Sequence, residues 1–382
     1  MSERNEMNQR RTARILMVAC GLLFSVFCFV YVFSFQKHLL EALHFYLSEG
    51  KTQFSPVFTA TFITTALLIV RWGINRVLKL KGVLHTWTYF PSCLLLGILT
   101  DIGYSVYVDG GMNGIWLWLL PLVFILYVLV SCLLKRLLGF SMEVQKPGTV
   151  INVNLVILLF LCLMSVCMGN TNMYFHQELA MESAIRKGDY QQAYRVGENV
   201  KAPTRTMTAL RAYALSQEQK LGEELFAYAQ PYRAEGLRFD GANERILRMN
   251  NDSLSVYWGD APRKDEKAVD FFARLCKEET GSYKVLDYYL SALLLDKRLH
   301  TFVRDYKAMY LVEDSVPVHY REALFLYEKL FSSSHIEQTD SILEKRWQRY
   351  EQLKQLKSDR TEELPDLQRE FGNTYWWYYQ NR

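Results

Sequence analysis

The sequence predicts an all-α protein in two parts: a five-helix transmembrane bundle over residues 15–169, then a solenoid of helical repeats over residues 170–382. Three observations carry this. Charge is spread unevenly: residues 1–170 hold 13 Lys+Arg and 7 Asp+Glu, while 171–382 hold the other 31 and 33 of the chain's 44 and 40. Five runs in the first part are apolar over the roughly 20 residues that a helix rising about 1.5 Å per residue needs to cross a bilayer core. In the second part apolar residues recur at helical spacing, in pairs of stripes with a period of about 34 residues. Collagen-like, disordered and disulfide-framework chains are excluded by this composition. Nucleic acid is excluded as main partner, because the second part has formal charge −2 and no basic stripe.

Residues 1–14 form a basic tail. Span one, 15–35, is uncharged and rich in Leu, Val and Phe; no small-residue cleavage site follows it, so it reads as an uncleaved anchor. Span two, 52–70, lies uncharged between Lys51 and Arg71. Span three, 87–108, is apolar except for Asp101, and spans four (112–134) and five (150–169) complete the bundle. Lys and Arg are retained on the cytoplasmic side. The segments outside the spans carry 4, 2, 4, 0 and 3 of them in order, so one side collects 11 and the other 2. The N-terminus is therefore expected inside, and five crossings place everything after Gly169 outside. Trp72 and Trp87 at the inner ends, with Trp116 and Trp118 at an outer one, sit at interfacial depth.

Asp101 is the one formal charge within these spans, with no Lys or Arg in any span to pair with it. An intramembrane acid is a functional candidate by default. Thr64 and Thr65 of span two offer hydroxyls to it, so Asp101, Thr64 and Thr65 form the candidate intramembrane polar site. A plain helix–helix polar contact is the competing reading. His38–Ser48 places Leu39, Leu40, Leu43, Tyr46 and Leu47 on one helical face, the pattern of a helix lying in the interface. His38, Glu41 and His44 in this segment fan over about 120° at three-residue steps, which suits no mononuclear metal site. No metal and no cofactor is expected. Six of seven cysteines lie in spans, as small apolar packing residues, and Cys276 stands alone beyond them.

Beyond Met173 the stripes Ala268–Cys276, Leu286–Leu294, Leu299–Tyr306 and Tyr320–Tyr327 mark amphipathic helices that must stack to be stable. Gly188-Asp189-Tyr190 reads as a stop and a cap. Asp260 with Pro262 reads as a cap and first-turn proline, Pro317 closes a pair, and residues 237–262 interrupt the array as an extended stretch. His319 opens a helix and reads as a surface residue. Ala180–Val200, with A-x3-A, G-D-Y and A-Y, resembles the tetratricopeptide repeat, without that repeat's first-helix Trp and Leu-Gly. Gln36–Pro56, Tyr89-Phe-Pro-Ser92 leading to Thr100-Asp101, Lys220-Leu-Gly-Glu with Phe226, and Phe371-Gly-Asn-Thr-Tyr-Trp-Trp377 resemble an uncharacterised family of membrane proteins from Bacteroidetes-type bacteria. That resemblance implies a bacterial inner membrane with the repeats in the periplasm, and no catalytic residue.

Tyr375-Trp376-Trp377-Tyr378-Tyr379 has two readings: a terminal helix with its rings packed inward, or Trp376 and Trp377 as aromatics at the membrane interface. The chain has no G-x-S-x-G, no H-E-x-x-H, no phosphate loop and no C-x-x-C. The expected function is a membrane-anchored interaction module, with the bilayer and an envelope protein as partners. A transporter component using Asp101, or an envelope enzyme acting on lipid or glycan, is the alternative.

Overall fold

Helices form where the apolar runs place them, and their ends fall where glycine, asparagine and proline interrupt the pattern. A computed structural model describes residues 2–139, 147–239, 249, 251–278, 281, 284–310, 316–331, 341–356 and 360–382. Lys146, His335 and residues 240–248 of the expected extended stretch lie outside them. The described residues contain helices and no strand; an isolated antiparallel bridge joins Ile102 to Met112. The chain divides into two units, Met1–His176 and Gln177–Arg382.

In the first unit α1 (Ser2–Val30) runs into a π turn at Tyr31–Phe35, followed by α2 (Lys37–Ser48) and α3 (Pro56–Leu78). Two 3₁₀ turns, Gly82–Leu84 and Thr86–Tyr89, lead into α4 (Phe90–Thr100). A single turn, α5 (Val106–Asp109), precedes α6 (Trp116–Gly139) and α7 (Pro147–Met168). Five helical stretches are long and apolar enough to cross a membrane: Ala13–Phe35, Pro56–Leu78, Gly82–Thr100, Trp116–Leu137 and Pro147–Met168. Their bounds differ from the hydropathy reading, and the differences have causes. The third begins at Gly82 and stops at Thr100, because the following Asp101-Ile-Gly breaks the helix and Gly110 and Gly111 both sit at positive φ. The second runs on to Leu78, carrying Arg71 and Arg76 inside the helix. Both lie beyond the uncharged run 52–70, in the last turns of the helix.

Helices α1, α3, α4 and α7 pack on one another. With lipid as the solvent, apolar burial gives little drive, and side-chain hydrogen bonds and close packing hold such helices together. Ser92 Oγ donates to the Leu67 carbonyl (2.7 Å), tying α4 to α3, and Ser165 Oγ donates to the Cys93 carbonyl (2.9 Å), tying α7 to α4. Asn154 of α7 accepts from both the backbone N–H and the hydroxyl of Thr86, at 2.8 and 2.6 Å, and donates to the carbonyls of Gly82 and Val150. Helix α6 is held through Tyr127, stacked on Phe90 with its hydroxyl on the Trp87 carbonyl, and through Ser131, which accepts from the Trp87 indole. The apolar face of α2 is not free for the interface: Leu39, Leu40 and Leu43 are buried against protein, leaving Leu47 exposed.

The division between units falls inside α8 (Met173–Arg186). The second unit continues with α9 (Tyr190–Arg195), α10 (Arg205–Gln217), the single turn α11 (Leu221–Glu224), α12 (Asn251–Trp258), α13 (Ala268–Lys277), α14 (Val285–Leu295), α15 (Leu299–Met309), α16 (Val318–Phe331), α17 (Ser341–Leu356), α18 (Arg360–Phe371) and α19 (Tyr375–Asn381). Asp189 caps α9, its Oδ1 accepting from Gln192 N at 2.9 Å after Gly188 at φ 74°, as the sequence predicts. Asn251–Trp258 is helical rather than extended, and Trp258 is fully buried against Phe271, Phe272 and Tyr288. Asp260 caps no helix: α13 starts eight residues later, and Asp260 instead pairs with the guanidinium of Arg274, as Glu266 does from the other side. Helix α11 packs on both α14 and α16.

Candidate functional site

Two places in the fold gather polar side chains that packing alone does not require, one in each unit. The first lies at the end of α4. Asp101 follows the last residue of α4 instead of sitting inside a span, with its N–H on the Ile98 carbonyl and its Oδ2 accepting from the Trp116 indole at 2.8 Å. It is half-buried. Thr64, at 8 % exposure, has a hydroxyl without a partner, Thr65 is exposed, and no hydrogen bond joins either to Asp101. The three expected residues are therefore not brought together.

What does converge there is a set that hydropathy did not single out. The π turn rotates Tyr31 and Gln36 inward, and such turns often mark functional positions. The Gln36 amide donates to the Tyr31 hydroxyl (3.0 Å) and to the Asn170 carbonyl (3.3 Å), while Tyr31 meets the Thr100 hydroxyl at 3.3 Å. Asn170 donates its N–H to the Thr100 carbonyl and its side-chain amide to the Ile102 carbonyl, and His176 Nε2 reaches the Asn170 carbonyl at 2.8 Å. Gln36 is 2 % exposed, yet its Oε1 has no partner, and neither has His176 Nδ1. The only sequence signal was placement: Gln36 and Asn170 each stand just past an apolar run. His38, Glu41 and His44 do not converge. His38 faces Glu41 at 3.5 Å while His44 meets Thr52, and among the described residues no group of three or more His, Cys, Asp or Glu could hold a metal.

The second place is a cleft of about 460 Å³ in the second unit. Its floor is aromatic: Phe226, Trp377 and Tyr378, with Phe226 packed on Tyr378 (4.9 Å between ring centres) and edge-on to Tyr375 (5.2 Å). Its rim carries Glu198, Lys201, Arg369, Glu370 and Arg382. Local chemistry fixes the floor. Thr374 caps α19 by accepting from Trp377 N, and the next N–H, of Tyr375, is taken by Glu322 Oε2 at 2.8 Å. Glu322 also accepts from His319 Nδ1 at 3.0 Å, and His319 Nε2 takes the Phe226 N–H at 3.4 Å. His319 is thus a buried residue, 3 % exposed, and not a surface one: its imidazole joins α16 to the turn bearing Phe226. Beside the cleft, Arg211 is buried and donates to the carbonyls of Tyr194, Val196 and Gly197 under the ring of Tyr228. Burial, partly offset by Tyr228 and Glu198, lowers its pKa to about 10. Trp376 and Trp377 are 0 % and 4 % exposed, with their rings packed inward.

An all-α chain with five helices long and apolar enough to cross a membrane belongs among membrane-associated helical proteins. More narrowly, the chain belongs to the Family of unknown function (DUF6057), whose model matches residues 111–258 and 242–382. No curated protein and no solved structure matches it.

Proposed function

We propose that the protein is a membrane-anchored interaction module whose second unit, of tetratricopeptide-like helix pairs, holds a segment of another envelope protein. The cleft carries this reading. Its aromatic floor and rim of both charge signs suit an extended peptide, which offers flat apolar side chains and charges at alternate positions. Lys201 and Glu198 are exposed on that rim. The bias of 11 basic residues against 2 between the sides supports a cytoplasmic N-terminus, and with five crossings a second unit on the periplasmic side of a bacterial inner membrane. The resemblance to Bacteroidetes-type membrane proteins supports the same setting. A photo-crosslinking residue at Asn199 or Asn373 on the rim should join the chain to another polypeptide in intact cells, and one at Val256, 84 % exposed elsewhere, should not. Equal crosslinking at all three positions would remove the basis for the cleft.

A further inference from the structure

The end of the bundle opposite Asp101 is built from the last turns of α3 and α6, the turns between Gly82 and Tyr89, and the start of α7. It carries Arg71, Arg76, Lys79, Lys81, Lys135 and Arg136. No Asp or Glu occurs in residues 50–100, 110–139 or 147–177, so none of these elements supplies a counter-charge. Such a cluster serves topology, but topology does not require that one member be drawn into the protein. Arg71 is half-buried and lies two turns before the end of α3. Its Nη2 is 2.8 Å from His85 Nε2, and since arginine keeps its protons, the imidazole accepts and is neutral. Its guanidinium carbon sits 4.6 Å above the Tyr89 ring centre. These partners are all uncharged.

Three polar atoms at this place are buried with no partner: Arg71 Nε, Asn75 Oδ1 one turn further along α3, and the hydroxyl of Tyr89, itself 0 % exposed. Two other cations are already turned to neutral groups, Lys135 onto the Leu78 carbonyl (2.9 Å) and Arg76 over the Trp72 ring (5.4 Å). A cation drawn from water without an anion is destabilising. Among the described side chains around Arg71 none is acidic, so an anion from outside the chain can supply the compensating charge. Trp72, 59 % exposed next to Arg71, marks the depth at which indoles meet lipid headgroups. The anion available at that depth is a phosphate.

We propose that this end of the bundle binds the phosphate of an anionic phospholipid, held by Arg71 and screened by the flanking Arg76, Lys79 and Lys81. Guanidinium–phosphate pairing is directional and charge-assisted, and basic pockets between spanning helices are where such headgroups are retained. The test uses the full chain in nanodiscs of phosphatidylcholine, with or without phosphatidylglycerol. Native mass spectrometry counts the retained lipids, and thermal unfolding is followed in parallel. Wild type should retain phosphatidylglycerol roughly tenfold better than phosphatidylcholine, the scale of one charge-assisted contact. Arg71→Gln should bring the two near parity and Arg71→Lys should fall between. Equal retention of both lipids by wild type overturns the proposal, as does full preference kept by a folded Arg71→Gln. A melting shift reproduced by inorganic phosphate in phosphatidylcholine discs also overturns it, because the site would then be one for free anions. The wild-type comparison decides the matter even where Arg71→Gln fails to fold.

Discussion

Replacing Asn154 by Leu should cost the first unit about 2–5 kcal/mol, and the figure follows from its contacts. Asn154 is 0 % exposed and makes four hydrogen bonds, one of them to Val150 in its own helix. The other three reach across the bundle, to the N–H and hydroxyl of Thr86 and to the carbonyl of Gly82. Leucine keeps the volume, so no cavity term enters, but it leaves these three groups unpaired in an apolar interior. Interhelical hydrogen bonds in membranes are worth about 0.6 kcal/mol on average and about 1.7 at most. The sum over three gives the range. Unfolding of the full chain in mixed micelles of rising SDS fraction, followed by tryptophan fluorescence, measures it. Thr86→Val in both backgrounds completes a double-mutant cycle: it should cost about 1 kcal/mol in wild type and almost nothing in the Asn154→Leu background. A loss below about 0.5 kcal/mol for Asn154→Leu, or an additive cycle, would show that this amide is not what joins α7 to the turns before α4.

Two further outcomes follow from the same geometry. Gly169→Ala should destabilise by about 1–3 kcal/mol in the same assay, because its Cβ would stand 2.4 Å from the Thr100 hydroxyl and 2.5 Å from that of Tyr31; an unchanged midpoint would mean that the Tyr31–Gln36–Thr100 cluster is loosely packed. Glu178, 2 % exposed with Oε2 unpartnered and Oε1 on the Thr204 hydroxyl, has its pKa raised by burial, so the folded chain binds more protons than the unfolded one just above the ordinary glutamate range. Its contribution is then fully present at low pH and is lost as pH rises through the folded pKa. Glu178→Gln should flatten the fall in thermal stability from about pH 4 upward and raise the melting point at neutral pH, and parallel curves for the two proteins would refute it.

Much of this fold was legible because periodicity reports burial directly. The five apolar runs correspond to five helical stretches of spanning length, the third of them shifted to Gly82–Thr100, and the Gly188-Asp189 stop and cap appeared where spacing placed them. What failed was reading a residue's partner from its neighbours in sequence. Asp260 beside Pro262 has every local mark of a cap, but Arg274 competes for the carboxylate and wins through a charge-assisted contact at 2.7 Å. His319 looked like a surface residue at a helix start, and it is buried because Glu322 and the Phe226 backbone satisfy both ring nitrogens. The cleft was illegible for the same reason. Its floor joins Phe226 to Tyr378 across distant sequence, and no local pattern encodes that meeting. Asn154 was visible in principle, an amide inside an apolar run, but averaging hydropathy over the run hid it.

Satisfied and unsatisfied polar atoms divide the bundle in a way that bears on function. The groups that cross between helices, Ser92 and Ser165 within the bundle and Asn154 nearer the basic end, all have partners, and they hold the packing. Thr64 is a minor exception, since a helical threonine can turn its hydroxyl onto its own backbone. Other atoms without a hydrogen-bond partner among the described residues of this unit are Gln36 Oε1, His38 Nδ1, Ser48 Oγ and His176 Nδ1 on the side of Asp101, and Arg71 Nε, Asn75 Oδ1 and the Tyr89 hydroxyl on the side of the basic cluster. A buried polar atom left unpaired costs about 1–3 kcal/mol, so a contact from outside the chain would stabilise the protein at each of these places. Water and lipid headgroups reach the ends of a bundle and not its middle. Contacts from the surroundings are therefore open to the atoms at the two ends and closed to those that tie α3, α4 and α7 together at Ser92 and Ser165.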